Sequence, residues 1–303
     1  PKAKASGGSS SSDNGGGVAD PMSQRLSRPG RADASGKGKY VDSFSVTAPD
    51  GEYFIYLGSG ELRDGDLKSQ LMKSGYGCLC VDVCIDARAH NLLDDGVTSR
   101  LVELASSPQC LGVMASFPCS TWCAARYEPG GPPVRRDSSE PAGITDEHGR
   151  LPHEVLRANR LVENGLKVMT AARQQRPPRR CLLECPAWRG EGSPTPLLGR
   201  EKHVSMISYP PLLRWATEQG ARVVVFEQCQ TGLEAQKSTQ LLATPEILAS
   251  VQREFAHLRC RDSVCSRTGQ PHKSHLGSTR ELQQYTPEMN RRLAQALVRT
   301  LIE

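Results

Sequence analysis

Long apolar runs are missing from this 303-residue chain; none approaches the roughly 20 residues that cross a bilayer, which excludes a helical membrane protein. No secretory signal is expected ahead of the cysteines. The eleven cysteines are odd in number and scattered through apolar runs and turns, unlike the paired framework of a small secreted domain, so reduced thiols in an intracellular compartment are expected. Large apolar residues are scarce over residues 1–40, where GGSSSSDNGGG cannot bury enough surface to offset the entropy of ordering, and a disordered tail is predicted. Net charge is scarce outside that tail. Of the +5 carried by the whole chain, +4 falls in residues 1–40, leaving the body near +1. The body therefore has no strong general field, and any hold on a polyanion must come from local patches and the tail. No methionine precedes Pro1, as expected of a fragment of a longer protein.

What is present has the rhythm of an α/β domain over residues 41–303. Glu52 to Leu57, EYFIYL, reads as a strand, followed at once by Gly58-Ser59-Gly60 and then by Leu62, Leu67, Leu71 and Met72 at helical spacing up to Gly75. Strand, glycine turn and helix make the opening unit of a nucleotide-binding sheet, although such a turn is equally a plain connection. A second strand is predicted at Cys78 to Val83, with Asp82 near its carboxyl end. It lies 24 residues beyond Gly58, where a carboxylate can accept two hydrogen bonds from a ribose diol. Asn91 and Asp94 precede a helix starting near Asp95, as capping residues or as contacts to an adenine edge.

The organising stretch is LGVMASFPCSTW, Leu111 to Trp122. Its apolar run suits a buried parallel strand, Pro118 ends the strand, and Cys119 is then carried to the mouth of a cleft, against the commonest fate of a free cysteine as a small buried apolar residue. A loop-like region follows, in which Arg126, Arg135 and Arg136 make a phosphate-contacting lid or a solvated excursion. A long amphipathic helix fits Glu154 to Ala172. Cys181 to Pro186, CLLECP, is a second strand ending before proline, and it projects Glu184 from the same edge as Cys119 if the two strands are parallel neighbours. ARVVVF, Ala221 to Phe226, reads as a buried strand, residues 227–244 as a hairpin holding Gln228 and Lys237, and Thr286 begins the last helix. Cys260, Cys265, His272 and His275 could bind zinc, against a polar loop as the alternative, because their Cys-x4-Cys-x6-His-x2-His spacing is irregular.

Read in order, YLGSG, VDV, NLLDD, FPCSTW, LLECP and FEQCQTG resemble the cytosine-5 DNA methyltransferases, and more closely a divergent branch of methylase-like domains from algal and protist genomes and mobile elements. The resemblance spans residues 53 to about 300, and its most specific parts are the Pro-Cys turn and the later Glu-x-Pro. It implies a Rossmann-like S-adenosylmethionine-dependent methyltransferase fold, a mostly parallel sheet with helices on both faces. It also implies bound S-adenosylmethionine along Leu57, Gly58, Gly60 and Pro118, with its ribose at Asp82 and its adenine by Asn91 or Asp94. A flipped pyrimidine would lie between Cys119 and Glu184, since a base inside a duplex cannot be reached. Arg126 joins these two as a catalytic candidate, and Arg135, Arg136, Gln228 and Lys237 are the candidates for holding nucleic acid, with DNA ahead of RNA.

This chain departs from the family pattern in three places. Cys185 stands where the family has asparagine, the arginines expected after Gln228 are absent, and the region available for target recognition, about 245–285, is short. The expected protein is nuclear, and a monomer or part of a larger polyprotein. Two other readings stay open: a catalytically inactive nucleic-acid-binding module of a mobile-element polyprotein, and a cysteine hydrolase pairing Cys119 with His148 or His153.

Overall fold

The computed structural model describes residues 46–303, apart from 128–132, 194–195, 197–198, 261–262, 274–283 and 303. The expected tail over residues 1–40 lies outside the described residues. The strands are β1 (Tyr53–Leu57), β2 (Gly77–Val81), β3 (Cys110–Ser116), β4 (Arg180–Pro186), β5 (Arg222–Glu227) and β6 (Ser238–Ala243). They form one sheet in the order β2-β1-β3-β4-β6-β5. The first four pair in parallel, and β6 runs antiparallel between β4 and β5, so the sheet is mixed but mostly parallel.

Helices α1 (Leu67–Lys73), α2 (Asp95–Ala105), α3 (His153–Arg173), α4 (Pro210–Glu218), α5 (Pro245–Phe255) and α6 (Pro287–Ile302) cover both faces. The pleat explains the division. Tyr53, Ile55 and Leu57 of β1 point into one core with α2, α3 and α4, while Phe54 and Tyr56 point into the other with α1, α5 and α6. A strand covered on both sides reads as an unbroken apolar run, which is why β1, β3 and β4 were visible in the sequence. Among the described residues no helix is long and apolar enough to cross a membrane.

Three expectations change. Ala221 to Phe226, expected as a buried strand, supplies β5, which is the outermost strand among the described residues; Val224 and Phe226 are buried while Val223 is 45% exposed. Leu62 is exposed because α1 starts only at Leu67, where Asp66 caps it by accepting from Ser69 N at 2.7 Å, and Met72 is exposed because α1 buries the face of Leu67 and Leu71. The expected recognition insert at 245–285 opens with scaffold: Ile247, Val251 and Phe255, spaced four apart, bury one face of α5 in the core shared with α6.

From β1 the chain first adds β2 on one side and then β3 on the other. The strand order reverses at β1, and the crevice beyond the carboxyl ends of β1 and β3 is where open α/β sheets hold ligands.

Candidate functional site

At the carboxyl end of β3 the backbone leaves the sheet through Phe117 and the exposed Pro118. Cys119 follows at φ −97° and ψ 8°, in the sparsely populated bridge region, and opens the 3-10 turn Ser120–Trp122. Its side chain is half-buried. Burial pushes the Cys119 thiol up to about 12, offset in part by the nearby Lys237 ammonium and reinforced by Cys123 and Glu184. At neutral pH the sulfur is therefore protonated, and anything that makes it nucleophilic must take that proton.

Strand β4 lies parallel to β3 in a register that sets Glu184 opposite Ser116. The Ser116 hydroxyl donates to Glu184 Oε2 at 3.0 Å and is 2.7 Å from the Tyr285 hydroxyl. Glu184 is 5% exposed, and its Oε1 makes no hydrogen bond among the described residues. Lys237 Nζ lies 3.9 Å from that oxygen. Lys237 directly precedes β6, whose antiparallel pairing with β4 returns the chain to this corner. Thus Cys119, Glu184 and Lys237, from three separate segments, share one electrostatic neighbourhood at the carboxyl edge.

Tyr285 escaped the sequence reading. It sits just before α6, 169 residues from Ser116, and no local pattern marks it. Burial, followed by the charge of Glu184, pushes its hydroxyl well above the usual phenol range, so it is a hydrogen-bonding group and not an acid. Tyr56 of β1 lies in the same pocket, raised first by burial and then by Glu184.

The arginines are placed differently from the lid expectation. Arg136 is fully buried, its guanidinium 3.7 Å from the Trp122 ring centre. It donates to Thr121 Oγ1 at 3.1 Å, Pro141 O at 2.9 Å and Asn159 Oδ1 at 2.8 Å. It cannot meet a phosphate from there. Its place is that of a rivet between the turn after Cys119 and α3. Arg126 donates to Ser120 O at 2.5 Å and to Glu154 Oε2 at 2.7 Å, and Arg135 reaches the other oxygen of Glu154 at 2.7 Å. Arg126 thus holds the carbonyl one residue beyond Cys119, and it shares the single Glu154 carboxylate with Arg135.

His203, also unforeseen, completes this brace. Its Nδ1 accepts from Arg189 N at 2.9 Å and its Nε2 donates to Trp122 O at 3.0 Å, a pattern that requires the neutral ring. Burial accordingly lowers its pKa. Gln228, expected at a nucleic-acid surface, is buried and donates to Thr239 Oγ1 at 2.9 Å. Its backbone N–H donates to Lys237 O at 3.0 Å, so it shapes the turn that carries the lysine.

At the glycine turn, Gly58 has φ +71°, and a Cβ there would lie 2.1 Å from Ser116 O. It is a glycine because β3 ends against it. Gly60, at φ +71°, has nothing within 4 Å on its Cβ side and donates its N–H to Asp82 Oδ2 at 2.9 Å; Asp82 Oδ1 accepts from Cys84 N at 2.9 Å. Each Asp82 oxygen keeps a second lone pair, so the residues around Gly60 fit a hydroxyl-bearing ligand. The Leu57 side chain is buried in the core and leaves only its backbone for a ligand. Asp94 accepts from Gly96 N and Val97 N as the cap of α2, and Asn91 accepts from Leu93 N at 3.1 Å, so the capping alternative is the one the geometry shows. A cavity of 620 Å³ opens elsewhere, beside β2, lined by Thr47, Lys68, Met72 and His90 among others and by none of the Cys119–Glu184 group.

His148 and His153 are exposed, His148 facing Glu147, and neither hydrogen-bonds Cys119 among the described residues, which removes the support for a hydrolase pair. Cys260, Cys265 and His272 do come together, but the fourth member of the cluster is Cys229. His275 lies outside the described residues.

The sequence matches no family model. No curated protein matches it either.

Proposed function

We propose that the domain is an S-adenosylmethionine-dependent methyltransferase of the cytosine-5 type acting on nucleic acid, DNA ahead of RNA, and that its sheet is the Rossmann-like methyltransferase fold. The observation carrying this reading is that Cys119 and Glu184 leave neighbouring parallel strands at one edge, with Lys237 beside both. Carbon 5 of cytosine is a weak nucleophile until a group adds to carbon 6. In this reading the Cys119 sulfur forms that bond, Glu184 engages ring nitrogen 3, and the electron pair pushed across the ring makes carbon 5 reactive. Bound S-adenosylmethionine would supply an electrophilic methyl group, with Gly60 and Asp82 the residues that fit its ribose end.

Transfer of the carbon 5 proton to water and departure of the sulfur as thiolate would then restore the aromatic ring. The Cys119 thiol, held at about 12, must be deprotonated first, and Lys237 is the cation that favours the thiolate. The target base would reach this corner by swinging out of a duplex or from a single strand.

The same raised thiol favours a second reading, a methyltransferase-like module that binds nucleic acid without chemistry. Methyl transfer from a labelled donor to cytosine in single- and double-stranded DNA tests the choice. Incorporation that disappears in Cys119→Ser supports the enzyme. Binding of DNA with no incorporation in either strand form, and no heat of donor binding by calorimetry, supports the module.

A further inference from the structure

We infer that Cys229, Cys260, Cys265 and His272 hold one structural zinc ion that fastens the turn after β5 to the segment between α5 and α6. This does not depend on the methyltransferase reading. The four ligating atoms lie within 4.8 Å of one another. A tetrahedral zinc with sulfur at about 2.3 Å and nitrogen at about 2.0 Å needs ligand separations of roughly 3.5–3.8 Å. Cys260 Sγ and His272 Nε2 are already 3.6 Å apart, so side-chain adjustments of an ångström or so close the set.

The backbone builds the site locally on one side and by tertiary contact on the other. Cys265 heads a tight turn in which Thr268 and Gly269 donate to its carbonyl at 3.2 and 2.8 Å, with Gly269 at φ +69°. Cys265 N in turn donates to Gln270 O at 2.8 Å, and Val264 bridges Pro271, which folds His272 back beside Cys265. Cys229 arrives from the 3-10 turn Gln228–Thr231, and side-chain bonds tie the halves, among them Arg267 Nε to Cys229 O at 2.8 Å, Gln236 Nε2 to Cys260 O at 2.9 Å and Gln230 Nε2 to Ser266 Oγ at 3.0 Å.

The hydrophobic effect gives this region little reason to be ordered. Its apolar cluster consists of the three cysteines alone, separate from both main cores, and the neighbouring Val264 is 44% exposed. Three buried thiols make a poor core but a good ligand set, in which metal binding supplies folding free energy. The imidazole of His272 has its Nδ1 buried without a hydrogen bond among the described residues, and its Nε2 faces the cysteine sulfurs. Cysteine and histidine at tetrahedral separation favour zinc over calcium or magnesium, which take oxygen ligands. An odd set of three thiols also cannot close completely into disulfides.

The test is elemental analysis of the full chain expressed in zinc-supplemented medium, with each ligand changed in turn. The expected result is one zinc per chain, lost in Cys229→Ser and Cys260→Ser and kept in His275→Ala. If a variant fails to fold, cobalt exchanged into the unaltered protein decides by its visible bands, which distinguish tetrahedral thiolate coordination. Zinc kept in Cys229→Ser, or lost in His275→Ala, overturns the ligand set. Absence of zinc, with no tetrahedral cobalt spectrum, overturns the site.

Discussion

The Ser116 hydroxyl lies between the Tyr285 hydroxyl at 2.7 Å and Glu184 Oε2 at 3.0 Å, joining the segment just before α6 to the carboxylate across the β3–β4 pair. One small side chain thereby fixes the direction in which Glu184 points. Ser116→Ala removes both bonds and leaves a buried carboxylate oxygen unpaired, at a cost of about 1–3 kcal/mol. Denaturant unfolding should show that loss, and methyl transfer should fall through kcat with the KM for DNA little changed.

Arg136 makes a second prediction, because its burial assigns it to the scaffold. Arg136→Met strips the Trp122 stacking and the bonds to Thr121 and Asn159, and it should destabilise the domain by about 2–4 kcal/mol. The salt dependence of DNA binding should be unchanged in a folded sample of this variant. Lys237→Met should also destabilise the domain, because it takes the cation away from the buried Glu184 carboxylate, and it should reduce transfer sharply by removing the charge beside Cys119.

Alkaline pH should unfold the protein in a defined window. Burial raises Cys110 to about 11 and Cys119 to about 12, so each thiol is held neutral in the native state at pH values where the unfolded chain ionises. The stability this contributes is complete below about pH 9 and is lost as pH rises through the folded values. Melting temperatures across that range should decline, and Cys110→Ala should flatten the decline whatever its effect at neutral pH.

On the acid side the group to watch is His203. Its pKa is lowered in the fold, so its contribution is present above pH 6.5, where the unfolded ring titrates, and is lost as pH falls from there through the lowered folded pKa. Protonation of Nδ1 would eliminate the bond from Arg189 N while Nε2 goes on donating to Trp122 O, so the brace is lost on the Arg189 side. Histidine NMR should find a ring that stays neutral below pH 6.5, and His203→Gln should weaken the acid dependence.

The parts of this molecule legible in the sequence were those carried by local pattern. EYFIYL, LGVMAS and CLLEC are apolar runs ended by glycine or proline, and they became β1, β3 and β4 with the parallel pairing that the Cys119–Glu184 expectation required. What stayed hidden depends on contacts between distant segments. ARVVVF reads the same whether it is central or at an edge, and only the insertion of β6 beside β4 leaves it outermost. Arg135 and Arg136 are neighbours of identical chemistry, yet one meets Glu154 at the surface and the other enters the interior against Trp122. Charge in a sequence does not say which way a side chain turns. Cys229 looked like part of a turn, because its partners in the metal cluster begin thirty-one residues later at Cys260.

The convergence of Cys119 and Glu184 on one pyrimidine is tested most directly by incubating the protein with donor and a DNA strand in which 5-fluorocytosine replaces cytosine, then mapping any cross-linked peptide by mass spectrometry. Fluorine at carbon 5 cannot leave as a proton would, so the sulfur stays bonded after methyl transfer. The account predicts a donor-dependent adduct on Cys119, absent in Cys119→Ser and strongly slowed in Glu184→Gln. An adduct on another cysteine, or none in either single- or double-stranded DNA while the protein binds both, would contradict it.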